Sequence, residues 1–422
     1  MKRSTRSLAA VAVAGLTLTA LTACGSNDGS GAASSGGSTD DAGNTTLEWS
    51  MWSGGTAERD AWQAAADAVH AADPTLTVEL ETSSFDDYFT KMGTRIASGS
   101  APCIVSVQSL RLGALQPGLL PLDDLMEEAD FDESDFVPAA LEGLAADGEQ
   151  YAVPYDNGPM LMLYNKVRFA EAGVAEPTAS WTHDDFVAAA QALSGDGRYG
   201  FSAYPSDLVM FSQLMSMTGK QPVSEDGELQ LDDPDLQAAA QSYAELVSEQ
   251  QVAPQLAGND SAFPYNQFIA GTTAMVVDGP WDLLSIQSQS DFELGAVPLP
   301  AGPDGSKTLS AGSGFGISEN CAVPEQAFAA IQTLTSTEQL SVLAAGGRAF
   351  PSRVSAQQPW FDNTFPGAQE ALETAGASAE PMRVTSDWTK VSTDLIQYGV
   401  PAFNGSTTMT EVLDQIQAED AS

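Results

Sequence analysis

Between Thr46 and Val107 the apolar pattern changes period repeatedly, and that alternation restricts the fold more than any other feature of the chain. Leu47-Glu48-Trp49 predicts a short strand and Ser53-Gly54-Gly55 a turn. Ala61, Ala65, Ala68 and Val69 then keep helical spacing from Ala57 to Ala72, with Thr56 placed to cap the helix and Asp73-Pro74 to end it. Leu76, Val78 and Leu80 alternate as a strand, Ser84 opens a helix to about Ser98, and Cys103 to Val107 is a third short apolar strand. A β-α-β-α-β order predicts an α/β fold, a parallel sheet with helices on its faces. Small ligands sit beyond the carboxyl ends of such strands, which places Trp52 to Gly54 and Gln108 to Arg111 at a candidate site.

The middle third changes character. Tyr151 to Pro154 is extended, Met160 to Tyr164 is a strand, and Thr182 with Asp185 three residues on forms a capping box. Asp233-Pro234 opens another helix, Met275 to Val277 is a strand closed by Asp278-Gly279-Pro280-Trp281, and Phe315 to Ile317 is a strand. Ser336-x-x-Gln339 opens a helix that stops at Gly346-Gly347. Two α/β lobes are expected, and periodicity does not say which later elements return to the first.

The N-terminus carries an address. Lys2, Arg3 and Arg6 precede an apolar run from Leu8 to Leu21 that is too short to span a bilayer, followed by Leu21-Thr22-Ala23-Cys24-Gly25. Residues 1–23 form an export signal in this reading, and Leu-x-Ala-Cys-Gly resembles the bacterial lipobox, which makes Cys24 the lipid-bearing first residue of the mature chain. Two acyl chains suffice for a lasting anchor on the extracytoplasmic face of the cell membrane. Residues 24–45 hold almost no large apolar side chain and are expected to be a flexible tether, with the fold starting near Thr46. The net charge of -41 repels phosphate backbones, so nucleic acid is not a partner. With two histidines and three cysteines, thiolate and imidazole zinc clusters are excluded, and no metal or cofactor is expected.

Several phrases, in order, resemble family 1 extracellular solute-binding proteins, the carbohydrate receptors of ATP-binding-cassette importers, to which maltose-binding protein is related. They are Gly99-Ser100-Ala101-Pro102, Leu119 to Asp124, Tyr151 to Asp156, Leu163-Tyr164-Asn165-Lys166, Ala274 to Trp281, Pro298-Leu299-Pro300 and Ser310-Ala311-Gly312-Ser313-Gly314. The resemblance implies a type II periplasmic-binding-protein-like fold, with two lobes joined by three crossovers around a ligand cleft. Carried onto this chain, the first lobe covers 46–155 and 308–344 and the second 156–307 and 345–422. It also sets the strand after the second crossover antiparallel to Cys103 to Val107. Cys103 stands where the family usually has Asp, and Cys321 follows the adjacent strand, so in an oxidising compartment a Cys103–Cys321 disulfide is expected.

Sugar sites combine aromatic faces with polar side chains that pair hydroxyls. The candidates are Trp52, Gln108, Arg111, Tyr155, Asp156, Asn157, Tyr204, Trp281, Arg348, Arg383 and Trp388, with Gly312 and Ser313 as backbone donors beside the ligand. Trp49 and Trp62 belong to the core. The expected protein is a monomeric receptor that captures a sugar or oligosaccharide and hands it unaltered to the importer's permease subunits. The alternative is a secreted carbohydrate hydrolase with paired cleft carboxylates, although no spacing among the 57 acids singles out a pair.

Overall fold

The computed structural model describes residues 36–420; the signal segment, Cys24 and most of the expected tether lie outside the described residues. The first sheet grows from the alternation at the start of the chain. Thr45–Trp52 pairs in parallel along its whole length with Leu76–Ser83, and Trp49 and Ser50 pair with Ile104 and Val105. The helix Thr56–Ala72 buries Trp62, Ala65, Ala66 and Val69 against this sheet, while Phe85–Ala97 contributes Tyr88 and Met92. The strand Ile104–Gln108 is apolar at alternate and adjacent positions because both its faces are covered.

Residues 36–45 are not the flexible tether expected of them. Gly37–Thr39 pairs antiparallel with residues 45–47 at the sheet edge. The strand needs no large side chain because its contribution is backbone hydrogen bonding and close approach. A Cβ on Gly36, whose φ is +68°, would fall 2.3 Å from the Cys103 nitrogen. The Asp40 carboxylate accepts from the nitrogens of Ala42 and Asn44 and closes the turn between the two strands.

Two further strands join this sheet from far along the chain. Ser313–Ile317 lies antiparallel to Ile104–Gln108, Ile317 opposite Ile104 and Ser313 opposite Gln108, and Val153–Pro154 pairs with its other edge. This register brings Cys103 and Cys321 together, with Cα atoms 4.7 Å apart and the sulfurs bonded. Trp49, Trp62, Tyr155 and Phe315 form the centre of the first lobe's apolar core.

The second lobe holds two three-stranded sheets. Leu161–Asn165 is flanked by Met275–Asp278 and Leu294–Val297, both antiparallel. Thr308–Ala311 is flanked by Ala379–Pro381 and Gly158–Pro159. One apolar cluster gathers Phe211, Trp388 and Phe403, and a smaller one gathers Phe350, Trp360 and Phe361. Thr182 with Asp185, Asp233 and Ser336 cap their helices through side-chain oxygens.

The lobe boundaries differ from those expected. Residues 308–311 belong to the second lobe's sheet, so the chain re-enters the first sheet at Gly312-Ser313 and not at 308. The third passage comes later than 344. Ala349 and Ala356 pack in the first lobe's core, Arg353 lies 3.9 Å over the Phe136 ring, and the second lobe resumes with Trp360 and Phe361. The Gly346-Gly347 stop ends a helix; the chain after it runs along the junction before leaving the first lobe.

Candidate functional site

The first two crossovers are neighbouring strands that bend from one sheet into another, and Asp156 ties them together. Its Oδ1 accepts from the Ser313 nitrogen at 2.5 Å, and its backbone bridges Pro351 on the third passage. All three segments thus meet at one residue. Burial pushes the Asp156 carboxyl up to about 7, against the lowering effect of the Ser313 N–H and of the Arg348 guanidinium. Arg348 pairs with Glu58 Oε1 at 2.5 Å and lies 4.9 Å from the Trp62 ring centroid, while Glu58 Oε2 accepts from Gly54 N at 2.7 Å. The helix start after the first strand is therefore bound to the third passage.

Tyr155 is core, stacked on Phe315 at 5.0 Å, and burial holds its hydroxyl well above the ordinary range. Asn157 is buried, its nitrogen bonded to Phe350 O and its Oδ1 without a partner. Gln108 Oε1, Arg348 Nε and Trp62 Nε1 are likewise buried and unpaired along this seam. Each such atom costs about 1–3 kcal/mol unless something pairs it. Gly312 and Ser313 do not offer free donors as expected. The Gly312 nitrogen donates to Ser109 Oγ and that of Ser313 to Asp156, because the two crossing strands use these groups to hold each other.

Trp281 stands beside the seam with 40% of its surface exposed, whereas the other six tryptophans are buried. It opens the helix Pro280–Gln289 and does not sit in a loop. The indole lies over the backbones of Gly158 and Gly279, where an added Cβ would come within 2.5 and 2.3 Å of the ring. Asp278 and Asp282 flank it. Burial raises the carboxyl of Asp278, and the charge of Asp282 adds to the effect; burial raises that of Asp282 as well.

At the other end of the cleft the lobes meet through side chains. Arg111 lies 3.9 Å from Asp207, and Asp207 accepts from Trp388 Nε1 at 3.0 Å. Trp388 is buried among Phe211 and its neighbours and presents no free face. Trp52 is also buried, packed edge-on to Phe85 and Tyr88. Tyr204 is buried in the second lobe, its hydroxyl unpaired and pushed up to about 12 by burial. Arg383 is fixed within the second lobe, its nitrogen donating to Gln221 Oε1 and its Nε to Val223 O. The structure thus brings together Asp156, Asn157, Arg348, Gln108 and Ser313 at the seam, with Trp281 beside them, and gathers Arg111 and Trp388 separately. Glu58 and Asp207 escaped the sequence reading because an acid in the first turn of a helix is indistinguishable there from a cap.

The model of the bacterial extracellular solute-binding protein family matches residues 53–340. The chain belongs to this family. Solute-binding proteins of known structure share its fold. An ABC substrate-binding protein from Listeria monocytogenes in complex with cycloalternan superposes with a TM-score of 0.80 at 25% identity, over 89% of this chain and 97% of that one. The diacetylchitobiose binding protein DasA of Streptomyces coelicolor is 24% identical over 93% of this chain and 92% of its own length. Binding proteins of Brucella abortus and Brucella suis are 26% identical over 247 residues, 57% of this chain, and the match spans 59% of their length.

For a solute-binding protein the geometry has a direct meaning. The type II fold closes by rotating its lobes about the crossovers, and here, among the described residues, the one exposed tryptophan stands beside the crossovers and four orphaned polar atoms lie along the seam. Among the described residues no helix is long and apolar enough to cross a membrane, and no group of three or more acidic, His or Cys residues is placed to hold a metal ion.

Proposed function

We propose that this solute-binding protein is a monomeric, lipid-anchored receptor on the extracytoplasmic face of the membrane, held through Cys24. It captures a sugar or oligosaccharide between its lobes and delivers it unaltered to the permease subunits of an ABC importer. The observation that carries the reading is the pairing of one exposed indole, Trp281, with the polar seam at Asp156, Asn157 and Arg348. An indole face covers sugar C–H groups while the seam pairs hydroxyls. Relatives named for diacetylchitobiose and arabinooligosaccharide binding support the same class of ligand. Hydrolysis is disfavoured because Asp278 and Asp282 share one strand end and one helix turn of the second lobe. Glycoside cleavage needs two carboxyls on either side of the scissile bond.

A thermal-shift screen of mono-, di- and oligosaccharides tests this. A saccharide at a hundred times its Kd raises folded-state stability by about 2.7 kcal/mol. Trp281→Ala is expected to abolish that shift while the unliganded chain still folds cooperatively, at a lower midpoint because the indole no longer covers Gly158 and Gly279. Release of cleaved product at catalytic protein levels would overturn the reading in favour of a hydrolase.

A further inference from the structure

The one disulfide among the described residues lies beneath a strand that periodicity did not reveal. Cys103 has no exposed surface and Cys321 keeps 8% of its own. The strand Gly37–Thr39 covers the bond. A Cβ on Gly37 would stand 2.7 Å from Cys103 Sγ and 2.9 Å from Val323 Cγ2, so the bare backbone reaches from the sulfur to the side chain two residues past Cys321. Gly36 beside it lies on the backbone of Pro102 and Cys103. Gly37 has no left-handed φ, so room against the sulfur, and not backbone freedom, is what calls for glycine there. The cover is short and lies at the end of its sheet. Its three residues pair only with Thr45, Thr46 and Leu47, and Ser38 and Thr39 are exposed. Edge segments with few buried contacts open at a small fraction of the free energy of global unfolding. The strands beneath it, Ile104–Gln108 and Ser313–Ile317, pair along their whole length inside the sheet.

We infer that Gly37–Thr39 gates a redox-sensitive bond: zipped onto Thr45 to Leu47 it keeps thiols from the disulfide, and unzipped it admits them to Cys103 Sγ. The co-reactant is a small thiol. Its thiolate attacks Cys103 Sγ, the sulfur–sulfur bond breaks, and Cys321, the cysteine nearer solvent, leaves as the thiolate and takes a proton from water. A second thiol attacks the mixed disulfide and Cys103 leaves in turn. The protein sulfurs have then gained two electrons and the two thiols end as their own disulfide. The bond from Ser318 N to Cys103 O does not depend on the bridge, so the reduced strands stay paired. What is lost is the covalent hold behind Gln108 and Ser313 at their other ends.

Incubating the full chain with dithiothreitol, and following alkylation of Cys103 and Cys321 by peptide mass over time, tests the gate. Below the unfolding transition the parent rate is expected to be nearly independent of urea, because a three-residue opening exposes little surface, whereas entry by global unfolding follows urea steeply. Gly37→Val, which sets a side chain against the sulfur, is expected to speed reduction by about tenfold or more. Ser38→Pro leaves that contact alone and removes a backbone donor from the strand, and is expected to act in the same direction. The parent measurement needs no variant, so the test survives a variant that does not fold. A steep urea dependence in the parent shows that the bond opens only with the whole fold and overturns the gate. Urea-independent reduction with both variants at the parent rate shows direct attack at Cys321 and overturns it as well.

Discussion

The two ends of the cleft join the lobes in different ways. At the seam, three chain segments are bound to one another through backbone and carboxylate, with Asp156 in contact with the other two passages. At the outer end, Leu110 packs in the second lobe's apolar cluster, Arg111 lies 3.9 Å from Asp207, and Gly113 comes close to Ser386. Covalent continuity with internal hydrogen bonds makes a fulcrum, whereas side-chain contact at van der Waals range makes a surface that parts. The difference teaches where closure energy is stored. A ligand moves the lobes only through contacts that differ between open and closed states, and side-chain contacts at the outer end can differ in that way while the covalent crossovers stay joined.

The disulfide gives the largest lever on this contrast. Cys103 and Cys321 flank the far ends of the two strands whose near ends carry Gln108 and Ser313, so the bridge holds the seam's strands from behind. It closes a loop of 218 residues, which in the chain-entropy model stabilises by about 5 kcal/mol. Replacing both cysteines with serine is expected to lower stability by that order in urea unfolding, and unreduced native protein is expected to show no free thiol at these positions. A loss under about 1 kcal/mol would mean that the hydrogen bonds of the seam alone fix the fulcrum.

Asp156 supplies the next largest effect and a sign. Its folded pKa of about 7 lies above the ordinary 3.8, so between those values the native chain holds a proton that the unfolded chain has lost. Stability from this group is therefore full below about pH 4, falls as pH rises toward 7, and is flat beyond. The span is at most about 4 kcal/mol, and less because water reaches part of the residue. Asp156→Asn keeps an acceptor for the Ser313 N–H but cannot ionise. Unfolding midpoints from pH 4.5 to 8 are expected to diverge, with the variant gaining on the parent as pH rises. Parallel curves would remove Asp156 from the pH response of the fulcrum.

What the sequence disclosed follows from how local each signal is. Helical and strand periods and the caps at Ser84, Thr182, Asp233 and Ser336 are decided within a few residues, and the structure reproduces them. At the first helix the cap is Gly55, with no side-chain bond, because Thr56 is already inside the helix. The pairing of Ser313–Ile317 with Ile104–Gln108 is non-local, and family resemblance supplied it where periodicity was silent, whereas its other neighbour, Val153–Pro154, emerged only in the fold. Asp278-Gly279-Pro280 marked the strand end before Trp281, but not the helix Pro280–Gln289 that begins there and leaves the indole 40% exposed. The pairing of Glu58 with Arg348 and of Asp207 with Arg111 was not, because a charge shows its type in the sequence and its partner only in the fold.

The outer end gives the smallest effect and the sharpest test of the contrast. Arg111 and Asp207 are mostly buried, with 17% and 13% of their side chains exposed, yet their separation of 3.9 Å is at the limit of an ion pair. Asp207 keeps its bond from Trp388 Nε1 when Arg111 is removed, so its carboxylate is not left without a donor. The usual penalty for breaking a buried pair comes from the charge left unpaired, and here the second lobe relieves it. Arg111→Ala is therefore expected to cost under about 1 kcal/mol in urea unfolding, in the range of weak ion pairs. The same substitution is expected to change ligand dissociation more than unfolding, because it removes a contact between lobes and none inside either core. A loss above about 2 kcal/mol in the ligand-free chain would show instead that the outer end is as firmly joined as the seam, and the division into fulcrum and parting surface would fall.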